Sequence, residues 1–240
     1  MLTPSRHKKH IKEIRRQAFT LAEVMITIAI IALIYAFGIR PLVTSIQNAG
    51  YEAGLKKETS VILQAYNNFQ ADGNDMTAAF PGTNGGGAAM NMIAPYLKII
   101  KSCSATTSSN TGCWYTSTLY QFSGSVYFPN PDSQLHGWGN AILADGVMIG
   151  IQDYDTQCTT LAGNGRLANS VCGTIWLDIN GAKGPNIIGR DVFAFWVTKT
   201  GVIPYGTSDR TNYTGITDCF PTAAPGWDCA SQVLTSGMNY

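Results

Sequence analysis

The chain has 240 residues with a formal charge of +1, 45% hydrophobic and 13% charged, which is enough for one anchor helix and one globular domain of ordinary size. The first 18 residues hold six of the 16 Lys/Arg and one of the 15 Asp/Glu, so the part beyond them carries ten against 14, a charge of −4. That part has no Lys/Arg cluster, which argues against direct nucleic-acid binding as its main task.

Residues 1–17 carry Arg6, Lys8, Lys9, Lys12, Arg15 and Arg16 against Glu13. Basic excess on one flank of an apolar helix is retained on the cytoplasmic side of a membrane. Residues 19–39 are mostly apolar and, at about 1.5 Å per residue, form about 30 Å of helix, roughly one hydrocarbon core. Glu23 interrupts that run. An acidic side chain costs about 2.5–3.5 kcal/mol at the bilayer centre and less near an end, so it needs a partner. A cut between Ala18 and Phe19 leaves a free amine on Phe19, four residues from the Glu23 carboxylate. A secretory signal peptide fits less well, because its apolar core is shorter, about 7–15 residues, and is followed by a small-x-small site rather than Arg40-Pro41. A plain signal anchor fits length and charge but leaves Glu23 without a role.

The stretch Ala18-Phe19-Thr20-Leu21-Ala22-Glu23, ahead of the apolar run 24–39, resembles the processing site of a type IV prepilin, with Ala18 where that family commonly has Gly. The resemblance implies cleavage after Ala18 by a prepilin peptidase, methylation of the Phe19 amine, and pairing of Glu23 with the N-terminal amine of a neighbouring subunit. It further implies an inner-membrane precursor with a cytoplasmic amino end. An inner-membrane assembly platform would build it, with itself or other pilins, into an extracellular pilus or periplasmic pseudopilus. The function so implied is structural rather than enzymatic, a filament subunit serving adhesion, motility, DNA uptake or protein secretion. The fold implied is α+β, a long N-terminal membrane-spanning helix packed on an antiparallel β-sheet. An extracytoplasmic binding protein anchored by one helix and not assembled into filaments is the alternative, and it would not need Glu23 or a free Phe19 amine.

Beyond the apolar run, Leu42, Val43, Ile46, Leu55, Ile62, Tyr66 and Phe69 recur at spacings of one helical face, so the helix continues. Pro41 cannot donate to the Phe37 carbonyl and Gly38 lowers propensity in the same turn, so a kink or melted turn is expected there. Asp72-Gly73 is the expected stop. The organisation is thus a leader over 1–18, a long helix over 19–72 with its membrane part at 19–39, and a mostly β head over 73–240.

The head is rich in Gly, Asn, Thr and Ser with scattered aromatics, the composition of short strands and turns. A short helix is expected over 88–100 on Met90, Ile93, Ala94 and Leu97, with Pro95 inside it. Residues 141–149 read as a hairpin turning at Asp145-Gly146, and 173–179 and 191–198 as two more strands, with Gly201 turning the second toward Val202-Ile203. The tail 229–240 resembles the terminal strand of pilin-like proteins.

All six cysteines, Cys103, Cys113, Cys158, Cys172, Cys219 and Cys229, fall beyond the apolar segment, on the side where disulfides persist. Six cysteines allow 15 connectivities, and their spacing in three close pairs favours local pairing, Cys103 with Cys113, Cys158 with Cys172 and Cys219 with Cys229, as the expectation. Zinc is disfavoured, since no C-x-x-C occurs and His136 is the one histidine beyond the leader.

The segment 178–191 gathers oxygen ligands in Asp178, Asn180 and Asp191, the donor type that hard cations such as calcium take. It is not an EF-hand loop, and turn chemistry alone accounts for its Asn-Gly and Gly-Pro pairs. Similar loops recur in pilin-like proteins, and some secretion pseudopilins bind calcium in their β region, so the resemblance implies calcium as the one cofactor to consider. No other motif carries chemistry. Lys199-Thr200-Gly201 has no Ser-x-x-Lys beyond the leader, and His136 in Leu135-His136-Gly137 reads as a solvated turn residue.

Overall fold

The structure is a computed structural model that describes residues 19–82, 86–103, 112–159, 170–207, 219–220, 222 and 225–239. The leader with Ala18, the loop 106–111 and part of the Gly-rich stretch 82–87 lie outside the described residues. The chain divides into two compact units, Met1–Ser45 and Ile46–Tyr240.

The described residues of the first unit are helical from Leu21 onward. Helix α1 spans Leu21–Ile34, a π-helical turn follows at Tyr35–Ile39, and α2 runs over Arg40–Ala71. The π turn has a local cause. Pro41 has no N–H for the Phe37 carbonyl, and Gly38 adds no side chain to hold the narrower ladder, so the ladder widens and Arg40 N–H donates to the Tyr35 carbonyl. Helix α2 closes at Asp72-Gly73, where Gly73 takes a φ of +83° that other residues resist.

In the second unit, short helices α3 (Met76–Ala79) and α4 (Gly87–Ile93) precede a six-stranded sheet. Its strands are β1 (Ile99–Cys103), β4 (Gly139–Leu143), β5 (Met148–Asp153), β6 (Val171–Asp178), β7 (Val192–Thr198) and β8 (Gly201–Pro204). They lie in the order β1-β4-β5-β6-β7-β8, every pair antiparallel. The strands β2 (Leu119–Tyr120) and β3 (Val126–Phe128) form a separate ribbon, and α5 (Pro131–Gln134) sits between β3 and β4. The architecture is α+β and pilin-like, a long N-terminal apolar helix with an antiparallel sheet.

Alternation along β7 shows how the sheet is covered. Phe193, Phe195 and Val197 join a core with Leu55, Ile62, Ala65, Tyr66 and Phe69 of α2. Val192, Ala194 and Trp196 join a second core with Trp114, Leu119, Trp176 and Tyr205 on the opposite face. Trp176 anchors that second face, meeting Trp227 at 4.5 Å and Trp138 at 5.3 Å between ring centroids. One face is therefore covered by helices and the other by aromatic loops.

Two sequence expectations need correction. The helix expected over 88–100 ends at Ile93, followed by a single 3₁₀ turn at Ala94–Tyr96 that Pro95 can join but not extend as α-helix. Ile99 and Ile100 belong instead to β1, paired to β4. The tail is not a strand. Residues Cys229–Ser236 form helix α6, because Cys229, Ala230 and Val233 recur at helical spacing and bury one face against the α2-side core. Gly237, at φ +74°, ends it.

Three disulfides join Cys103 to Cys113, Cys158 to Cys172, and Cys219 to Cys229, across separations of 10, 14 and 10 residues. The first ties the end of β1 to the segment entering β2, and the third ties the start of α6 to the chain preceding it.

Candidate functional site

Helix α1 starts at Leu21 because Thr20 is extended and caps it. Glu23 N–H donates to Thr20 Oγ1 at 3.3 Å, while Thr20 N–H and Oγ1–H donate to Glu23 Oε2, both at 2.8 Å. This reciprocal capping box satisfies two helix-end donors and the acid together. Glu23 is thus held at the helix entrance, one turn from Phe19, which is 84% exposed. Thr20 was missed by reading the acid alone, although the Thr-x-x-Glu spacing before an apolar run signals this cap.

No residue of α1 is buried within the chain, and large apolar side chains from Leu21 to Ile46 stand exposed. The helix is apolar on every side, so no polar face is available to turn toward water. Leu21–Ala71 contains a stretch long and apolar enough to cross a membrane. Gly38 lies inside the π turn and Pro41 in the first turn of α2.

The second candidate region is the loop between β6 and β7. Asp178 closes β6 and Asp191 directly precedes β7, both fully buried. Their environments differ. Asp191 accepts from Ile187 N–H at 2.6 Å, Asn186 N–H at 2.8 Å and Asn180 Nδ2 at 3.2 Å. Asp178 accepts Asn180 N–H at 3.2 Å through Oδ1, and the Tyr115 hydroxyl lies against the same carboxyl. Burial, and then the Asp191 charge, pushes the Asp178 carboxyl well above the usual carboxylate range. Burial also raises Asp191, against the amides that pull it down.

Backbone geometry folds this loop tightly. Gly181 sits at φ +65° with the Gly146 carbonyl where a side chain would project, 2.5 Å from an added Cβ. Asn186 also takes a positive φ, of 54°, which Asn tolerates better than most residues. The loop is stitched to β2 by Tyr120 N–H donating to the Asn186 carbonyl at 2.8 Å and Ile188 N–H to the Tyr120 carbonyl at 2.9 Å. Asn186 was missed in the sequence because Gly-Pro-Asn reads first as a turn. His136 is exposed and its Nδ1 contacts the Ser133 carbonyl within its own turn.

An apolar helix with an acid at its capped entrance and a disulfide-braced antiparallel sheet define a protein with, among the described residues, one membrane-type helix and an α+β head. The family model for the prokaryotic N-terminal methylation motif matches residues 14–35. This is the prepilin-type cleavage and methylation segment found in type IV pilins and pseudopilins. Proteins carrying that motif have structural rather than enzymatic roles, and the apolar helix with the motif fits an inner-membrane precursor. No curated protein and no solved structure matches the chain significantly.

Proposed function

We propose that the chain is a structural subunit of a type IV pilus-like filament, retained in the inner membrane by its apolar helix and assembled through that same helix after processing. The observation that carries this reading is α1, apolar on all sides, unburied within its own chain and preceded by the matched cleavage segment. Outside lipid such a surface must be covered, and bundling helices from many subunits covers it. Prepilin peptidase, an inner-membrane assembly platform and other pilins are the partners this requires. The head needs no catalytic role in this reading.

Glu23 is the docking group. In the precursor its carboxylate is satisfied by Thr20. Cleavage after Ala18 creates an amine on Phe19, and a neighbouring subunit's amine offers Glu23 an ionic partner that Thr20 does not. Mass spectrometry of the protein extracted from membranes and sheared filaments tests the proposal. Mature chains are expected to begin at methylated Phe19 and to label surface or periplasmic filaments with antibody. Uncleaved chains on mature cells, or an amino end beyond Ile39, overturn it and favour an anchored binding protein.

A further inference from the structure

Glu58 stands where an apolar residue is expected. The buried residues of α2 are Leu55, Glu58, Ile62, Ala65, Tyr66 and Phe69, which recur at helical spacing on one face. Glu58 is therefore a core position filled by an acid, 1% exposed and with both carboxyl oxygens out of water. A buried carboxylate is strongly disfavoured unless a cation or hydrogen-bond donors meet it.

The groups that reach it come from two elements. On α2, Lys57 Nζ lies 3.0 Å from Glu58 Oε1. From the turn between β4 and β5, Asp145 sets its carboxyl against that of Glu58 and also takes Lys57 through Oδ2. One lysine thus serves two carboxyls, and the lysine itself is open to solvent. Beside the three runs a groove of about 480 Å³, bordered by Val61, Tyr96, Lys98 and Leu143 among others. The Tyr96 hydroxyl is committed elsewhere, donating to Asp72 Oδ2 at 2.7 Å and accepting from Asn74 Nδ2 at 3.2 Å. Lys98 is exposed and makes no ion pair among the described residues.

Two carboxyls in contact ionise together only at a cost, and one proton shared between them removes it. Burial, reinforced by Asp145 and opposed by Lys57, raises the Glu58 carboxyl above the usual carboxylate range. Against the effect of burial, Lys57 and Glu58 hold Asp145 below that range. Asp145 is the anion of the pair and Glu58 keeps the proton.

We propose that Glu58, Asp145 and Lys57 form a proton-sensitive latch between α2 and the β4–β5 turn. With a proton on Glu58, its hydroxyl donates to Asp145, Lys57 balances the remaining charge, and the turn is fastened to the helix. Without that proton, two carboxylates compete for one lysine and the turn loosens. The adjoining groove then gives water a route to the pair. Folding raises the proton affinity of Glu58, so the stability this proton supplies is complete below the ordinary glutamate value of about 4.3 and is lost as pH rises through the folded value. The latch lies wholly within the head, and its test does not depend on filament assembly.

In the full-length protein in detergent micelles, unfolding is followed from about pH 4.5 to about pH 8.5 for the wild type and for Glu58→Gln, which holds the position in its neutral form. The ratio of unfolding constants, wild type over variant, is expected to stay flat at the acid end and to rise several-fold toward the alkaline end. Asp178 and Asp191 are buried too, but they titrate in both proteins and cancel in the ratio. Asp145→Asn removes the second anion and keeps the Oδ1 acceptor for Val147 N–H, so it should shrink the rise. A ratio that does not change with pH overturns the proposal. Hydrogen exchange reads the turn on the unmodified chain, where Ala144 N–H donates to the Lys98 carbonyl at 2.7 Å and Gly146 N–H to the Leu143 carbonyl at 2.9 Å. Protection of both amides, corrected for the intrinsic pH dependence of exchange, should fall over the same range. Constant protection overturns the proposal equally, whether or not the variants fold.

Discussion

Helix α1 and strand β7 are both strongly apolar, reading LAEVMITIAIIALI and VFAFWVT, yet α1 has no buried residue and β7 has no exposed one. Hydrophobicity alone does not decide burial. In β7 the side chains alternate between two faces, and each face has its own cover, α2 on one side and the aromatic cluster on the other. In α1 the apolar surface continues around the helix, and none of its residues is buried among the described residues. The sheet's strands have cover within the head, whereas the apolar surface of α1 is left for lipid or, in the proposed filament, for other subunits.

The largest expected effect falls on the head. Its three bridges close loops with separations of 10 to 14 residues, and each should contribute about 3 kcal/mol in the chain-entropy model. Reduction should therefore unfold or strongly destabilise the head while leaving the precursor in the membrane. Circular dichroism of reduced, alkylated protein alongside membrane fractionation checks this. A head melting unchanged after complete reduction would mean the two cores suffice without the bridges.

A smaller effect is expected from Phe195→Ala. Phe195 is 1% exposed and reaches the α2-side core, so its loss should cost about 3–5 kcal/mol through the cavity it leaves. Chemical denaturation of the head should show this without change in membrane insertion. An equal loss of insertion would break the separation between self-covered and partner-covered regions.

Glu23→Gln reverses the pattern at the smallest scale. The charge-assisted contact proposed for Glu23 is worth about 1.5–3 kcal/mol, so filament yield should fall about tenfold or more. The head should melt as before and the precursor should still insert, since an amide is cheaper than a carboxylate in lipid. Quantifying sheared filaments against membrane-retained protein decides it, and wild-type filament yield would remove the docking role.

The readable parts of the fold were those where one local pattern dominates. The helix announced itself through length and apolar spacing and its end through Gly73, and the hairpin β4–β5 through Asp145-Gly146 between two apolar runs. The tail misled because eight residues of mixed polarity carry little periodicity. Only the docking of Ala230 and Val233 against the core makes it a helix. Ile99-Ile100 continued an apolar helix pattern, and their pairing with β4, distant in sequence, decides for a strand. In the β6–β7 loop, Asp178, Asn180 and Asp191 could be picked out as oxygen carriers. Sequence could not tell that the backbone amides of Asn186 and Ile187 close on Asp191. Asn186 and Tyr115 enter through contacts across the fold, which no spacing in the chain encodes.

The two margins of the six-stranded sheet set a limit on how heads can associate. On one side β1 is broken by a bulge between Ile99 and Lys101 and presents exposed Lys101. On the other, β8 has four residues and finishes in Pro204, which has no N–H to offer. Bulges, lysines and prolines at such margins discourage an incoming strand from continuing the ladder. In the filament proposed above, neighbouring heads would thereby be kept from zipping into a shared sheet, and ordering between subunits would be left to the helices.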